Sequence, residues 1–211
     1  MKKLSLLLAL MLLVTVGGVY ATWNYALTDD IADAYAEAKV TIEDAEFTGS
    51  NGVYKIESNL VLTIDQANDD HEAELVFDAN NDQPIFLKVT FTPAKHAPEA
   101  VKENAVPSEL YFTTSTTMEY KMDADGNYSE SGTPAPIFTF TNPSDGNFSP
   151  NVDWTPESDG TFTYTLGETA LKSMISLSQA FKLDVKSEHD AFRKALTGNI
   201  VARVTDGVVT Q

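Results

Sequence analysis

Between Val40 and Phe91, apolar side chains return at every second position. Ile85, Leu87, Val89 and Phe91 alternate with Lys88 and Thr90, and Leu60, Leu62 and Ile64 share one face of a run that reads as a single long strand from Val53 to Asp65. A period of two places successive side chains on opposite faces of an extended chain, so each run buries one face and wets the other. Such strands, joined by short polar turns, pair antiparallel. The turns are present: Ser50-Asn51-Gly52 is an Asn-Gly hairpin signal, Asp65 to Glu72 is polar, and Asn80-Asn81-Asp82 separates Leu75 and Phe77 from the strand that follows. Val40 and Ile42 are out of phase with Ala45 and Phe47, which predicts a bulge near Asp44 within one strand.

Past Phe91 the pattern is interrupted. All nine prolines lie between Pro84 and Pro156, and residues 93–107 and 132–156 are predicted as proline-rich loop excursions, the first with at most one turn of helix. Leu110 and Phe112, with Met118, Tyr120 and Met122, predict a hairpin turning at Thr113 to Thr117. Asp125-Gly126, Asp145-Gly146 and Asp159-Gly160 sit beside threonine/aromatic runs that include Phe138, Phe140, Phe162 and Tyr164, where threonine faces solvent and aromatics face inward. Only the last quarter reads as helical. Leu171, Met174 and Ile175 fall on one helical face, and Ser187 with Asp190 forms a capping-box pattern ahead of Phe192 and Leu196, stopped by Gly198. Ile200, Ala202 and Val204 alternate as a closing strand. The expectation is a mainly β fold, an antiparallel β-sandwich of the jelly-roll kind with two short helices near the C-terminus, as one domain over residues 22–211.

The first residues carry an address. Lys2 and Lys3 precede the apolar run Leu4 to Val16, Gly17-Gly18 breaks it, and Val19-x-Ala21 offers the small residues a signal peptidase requires. Residues 1–21 are therefore expected to be a signal peptide cut between Ala21 and Thr22. Leu4 to Tyr20 is 17 residues, the lower edge of a membrane span, so no stable membrane anchor is expected after cleavage. The mature start, with Trp23, Tyr25 and Leu27 alternating with Thr22, Asn24 and Ala26, reads as a strand that pairs either within its own molecule or with a neighbour.

Gly17-Gly18-Val19-Tyr20-Ala21-Thr22-Trp23 resembles the signal-peptide ending of proteins handled by the SipW-type signal peptidase of Gram-positive bacteria, the TasA/camelysin-like biofilm-matrix group. In that group a glycine-containing break is followed by a small-aromatic-small cleavage site and an aromatic residue soon after it. The resemblance implies a secreted β-sandwich protein, often a fibre subunit, released by that peptidase and associating with itself or with other matrix proteins. TasA-like mature chains commonly begin Phe-Ser/Thr-Asp, whereas this chain has Trp23-Asn24-Tyr25, so the likeness is to the wider group.

Charge and composition narrow the partners. The chain has 14 basic and 31 acidic residues; loss of Lys2 and Lys3 leaves 12 against 31, a mature charge of -19. Nucleic acid and anionic membrane surfaces are poor partners for such a chain, and any assembly should respond to salt, divalent cations or acid. Cysteine is absent, which excludes disulfides, thiolate chemistry and a lipoprotein anchor. No sortase-type signal precedes Gln211, so covalent wall attachment is not expected.

No catalytic residue is assigned. Camelysin-type proteins have been classed as metallopeptidases, but His71-Glu72-Ala73-Glu74-Leu75 has leucine where a zincin needs its second histidine, and His96 and His189 lie in unrelated contexts. Neither a nucleophile elbow nor a phosphate loop is present. No cofactor is expected. The better of two weak cation candidates is calcium at Asp123, Asp125 and Asn127, whose spacing imitates the start of a calcium loop but meets Pro134 where the bidentate acid belongs; a plain Asp-Gly turn is the competing reading, and Asn68 to Glu72 has weaker spacing still. The expected function is a non-catalytic structural subunit or accessory protein of a cell-surface or biofilm-matrix assembly, with strand addition by Thr22 to Leu27 as its expected mode of assembly. The alternative is a secreted adhesin or glycan-binding module using Tyr128, Phe148 and Trp154.

Overall fold

The alternating runs do form strands, but they distribute over more sheets than the pattern suggests. The computed structural model describes residues 39–66, 72–106, 108–141, 147–148 and 154–206. The signal peptide, its cleavage site and the segment containing Trp23, Tyr25 and Leu27 lie outside them, as does His71. The fold is mainly β, with several antiparallel sheets and three helices among the described residues.

The largest sheet holds five strands in the order β12 (Thr155–Pro156), β13 (Phe162–Gly167), β6 (Phe86–Pro93), β3 (Gly52–Ser58) and β2 (Ala45–Thr48). Its centre is β6, whose Leu87, Val89 and Phe91 are all fully buried while Lys88 and Thr90 face outward, as predicted. Each of these three side chains stabilises the fold by roughly 1.5–3 kcal/mol through burial alone. Tyr54 and Ile56 of β3 and Phe162 of β13 extend the same apolar surface. The Asn-Gly turn joins β2 to β3, closed by the Gly49 N–H donating to Gly52 O at 2.8 Å.

A second sheet runs β1 (Lys39–Thr41), β4 (Leu60–Gln66), β5 (Ala73–Ala79). Two sequence expectations change here. The phase break near Asp44 is no bulge: β1 pairs with β4, whereas β2 pairs with β3 in the other sheet. The long strand Val53 to Asp65 is likewise two strands in two sheets, divided at Asn59. That residue is 2% exposed and its side chain holds the corner. Its Nδ2 donates to Asn81 Oδ1 and to Pro84 O, both at 3.0 Å, and its Oδ1 accepts the Phe86 N–H at 2.8 Å. A buried amide is stable only when so satisfied.

Most of the remaining strands pair across long sequence distances; β8 and β9 pair locally. β7 (Ser108–Thr114) lies between β11 (Asn147–Phe148) and β15 (Ile200–Asp206), and β8 (Glu119–Met122) pairs with β9 (Thr133–Pro136). The predicted hairpin of Leu110/Phe112 against Tyr120 is therefore absent; each strand has another partner. β9 carries Pro134 and Pro136 and pairs on one side only, the placement in a sheet that proline tolerates, so part of the predicted 132–156 excursion is strand. β10 (Phe138–Phe140) pairs with β14 (Ile175–Leu177).

The helices are α1 (Glu99–Asn104), α2 (Glu168–Met174) and α3 (Lys186–Ala195). α1 has six residues, about 1.7 turns, and so exceeds the one turn expected within 93–107; the other two are the predicted C-terminal helices, except that Ile175 already begins β14. The cap of α3 also differs from expectation. Glu188, not Asp190, folds back, and its Oε2 accepts the N–H groups of Asp184 at 2.6 Å and Val185 at 3.1 Å. Asp190 instead faces Lys186 at 3.6 Å and Arg193 at 3.8 Å. No described helix is long and apolar enough to cross a membrane.

Candidate functional site

Strand edges are the first place to look in a β protein, because an edge carries backbone donors and acceptors that no neighbour has taken. Among the described residues β5 pairs only with β4. The Asn80 N–H donates to Asn59 O at 2.9 Å, which fixes the phase of that ladder. Asp78, Val76 and Glu74 then bond to β4, and the backbone groups of Ala79, Phe77, Leu75 and Ala73 point away from it. The two ends of this outer edge are engaged: Ala73 N–H donates to Phe181 O at 2.8 Å, and Ala79 N–H to the Asp78 carboxylate at 2.8 Å. Between them, Leu75 and Phe77 form a window that no other described residue fills. Their side chains are only half-buried, the Lys172 ammonium stands 5.7 Å from the Phe77 ring centre, and Val76 is 37% exposed on the other face.

The calcium candidate folds as a turn. Asp123 Oδ1 accepts the N–H groups of Asp125 at 2.9 Å and Asn127 at 3.0 Å, and Oδ2 faces Asn127 Nδ2 at 3.5 Å. The Asn127 backbone N–H is the main influence holding the Asp123 carboxyl below its ordinary value, with the Asp125 N–H acting the same way. Gly126 has φ +90°, a conformation that favours glycine, and its carbonyl accepts the Lys182 N–H at 3.2 Å. The carboxylate thus already has N–H partners. Among the described residues no group of three or more His, Asp or Glu side chains is placed to hold a metal. Glu72 bridges to Lys182 and leads into β5, so the partial zincin motif is not on a helix.

The aromatic residues expected to stack on sugars occupy different places. Trp154 is interior: it is 4% exposed, its Nε1–H donates to Val106 O at 3.0 Å, and its ring packs 6.0 Å from Phe91 and 6.4 Å from Tyr54. Tyr128 is half-buried against Tyr120, with ring centres 5.7 Å apart, and Phe148 pairs through its backbone with Ser108 in β11.

One feature passed over in the sequence is an open groove of about 440 Å³ beside the β7–β8 connection, lined by Thr114 to Glu119, Pro136, Phe138 and Phe140. The sequence signal was the hydroxyl run Thr113 to Thr117, which reads equally well as a turn. No protein-family model, curated protein or solved structure matches this chain.

Proposed function

We propose that this chain is an exported, non-catalytic structural subunit or accessory protein of a cell-surface or biofilm-matrix assembly, built as an antiparallel β-sandwich and assembling by strand addition. The sandwich arrangement is supported by the two places where the chain leaves one sheet for another, at 42–45 and at Asn59, while its side chains stay in one apolar cluster. The observation that carries the assembly reading is the open window of β5, where the outward N–H and C=O groups of Leu75 and Phe77 lie beside half-buried apolar side chains. An extended segment with large alternating side chains is the natural occupant of such an edge. Thr22 to Leu27 of a second copy supplies one, with Trp23, Tyr25 and Leu27 as the apolar set. The acidic surface keeps subunits apart until acid or divalent cations weaken the repulsion.

Protein beginning at Thr22 should form filaments or oligomers when taken from about pH 8 to about pH 4, the range in which carboxylates gain protons, or when given calcium. Removing Thr22 to Leu27 should abolish assembly and leave the circular dichroism spectrum unchanged. A Thr22-start protein that stays monomeric throughout would refute the proposal.

A further inference from the structure

The groove beside the β7–β8 connection is built from parts whose chemistry is specific. Its floor is the half-buried Phe140, backed by Phe138, which is 5% exposed and has its ring centre 6.3 Å away at 17°; Phe112 lies 6.1 Å from Phe140. One wall is a row of exposed hydroxyls, Ser115, Thr116 and Thr117, and the exposed Glu119 carboxylate lies at one end. Among the described residues no lysine or arginine lines it.

The hydroxyl wall is held in place from outside the groove. The Ser115 N–H donates to Asn199 O at 2.9 Å, and the Asn199 N–H returns to Ser115 Oγ at 2.9 Å. Asn199 is itself fixed by Thr41 Oγ1 at 3.2 Å and Glu43 Oε1 at 2.9 Å. Gly198 packs so closely under the wall that a Cβ there would overlap Thr116 Oγ1, Ser115 Oγ and Met118 Cε. On the opposite side the Ile137 N–H donates to Met118 O at 2.9 Å, joining the wall to the strand that carries the floor. The backbone and hydroxyl of Ser115 are therefore ordered before any ligand arrives, which lowers the entropy cost of binding.

We infer that this groove is a binding site for a neutral saccharide, a partner that goes beyond the assembly role proposed above. A sugar ring presents an apolar C–H face that suits an aromatic floor, and a rim of hydroxyls that both donate and accept, as serine and threonine hydroxyls do. The carboxylate can accept from two neighbouring sugar hydroxyls in charge-assisted bonds. An anionic ligand finds no cation in the groove and meets Glu119 on a chain of net charge -17. A volume of 440 Å³ falls in the range of about 300–1,000 Å³ that small-molecule sites occupy. Within a matrix, the site would tie the protein to an uncharged exopolysaccharide.

The test is amide chemical-shift titration of the isotope-labelled exported chain with maltotetraose, cellotetraose and mannotetraose, with trigalacturonate as the anionic control and a proline-rich peptide as the rival occupant. At least one neutral oligosaccharide should give saturable shifts confined to 114–119 and 136–140, with a millimolar Kd. Phe140→Ala should weaken it about tenfold, as should the surface double variant Thr116→Val/Thr117→Val, which leaves the fold intact; tenfold corresponds to about 1.4 kcal/mol. The inference is overturned by no saturable shift up to about 10 mM sugar, far above a millimolar Kd. It is equally overturned by shifts centred elsewhere, by wild-type affinity in the double variant, or by the anion or the peptide taking the groove in preference. Acid-induced assembly of the double variant should match wild type, which separates this site from the β5 edge.

Discussion

β2 and β5 each lie at the edge of a sheet, yet only one offers a usable edge. β2 has four residues, and its Phe47 stacks on Tyr54 at 5.6 Å and 20°, so its large apolar side chain already has a partner; Glu46 and Thr48 face solvent. A short edge with an outward charge discourages further pairing. β5 has seven residues, and its inner face is incompletely covered, with Leu75 and Phe77 half-exposed. Its ends are closed by Phe181 O and by the Asp78 side chain. Availability of an edge is therefore set by its length, the cover beneath it and what closes its ends.

The largest expected effect removes the support of β5 at its source. Asn59→Leu leaves the Phe86 N–H, Pro84 O and Asn81 side chain without their partner and should destabilise the protein by about 3 kcal/mol or more, read as a lowered denaturation midpoint. Next, proline tests the phase of the ladder. Val76→Pro deletes a bond to β4 and should cost roughly 2–3 kcal/mol. Leu75→Pro removes only an outward N–H and part of a half-buried side chain, so it should cost about 1 kcal/mol while abolishing assembly. The reverse order of costs, with Leu75→Pro the more damaging, would mean the edge faces the other way.

Two smaller effects probe the closed end of β5. Phe181, whose carbonyl closes it, packs edge-on to Tyr120 at 5.5 Å. The Tyr120 hydroxyl is buried with no hydrogen-bond partner among the described residues, and its pKa is driven upward by burial and then by the Glu188 carboxylate. Tyr120→Phe should raise stability by about 1 kcal/mol in chemical denaturation. Lys182, next to Phe181, is held by the Asp123 turn through Gly126 O. Because Asp123 titrates below its ordinary value in the folded chain, its contribution is fully present above the unfolded value and fades as pH falls through the folded one. Its carboxyl should titrate below about 3.9 by NMR, and amide exchange at Lys182 should quicken only under that pH.

The sequence made the strands of the core legible because alternation reports directly on a half-buried face, and the Asn-Gly hairpin and both C-terminal helices followed from local signals. Sheet membership was not legible. Tyr54, Ile56, Leu60, Leu62 and Ile64 keep one unbroken phase across the corner, so nothing in the period marks the change of sheet at Asn59, a polar residue on the nominally outer face. One partner of β7, β15, lies 86 to 98 residues further along the chain (Thr114 with Ile200, Ser108 with Asp206), beyond the reach of turn chemistry. The Asp123 spacing suits a cation and an Asx-type turn alike, and only the direction of its N–H donors separates them. Trp154 looked like a loop aromatic because the carbonyl it needs, at Val106, is remote in sequence.

The strand-addition account is tested most directly by disulfide capture, since the natural chain has no cysteine to confuse it. Asn24→Cys in one tagged chain and Val76→Cys in another, both on the outer face of the proposed pairing, should oxidise to a mixed dimer under assembling conditions, while Glu46→Cys on β2 in place of Val76→Cys should not. A Val76 variant that captures no more Asn24→Cys chain than the Glu46 control does would contradict the assignment of β5 as the receiving edge.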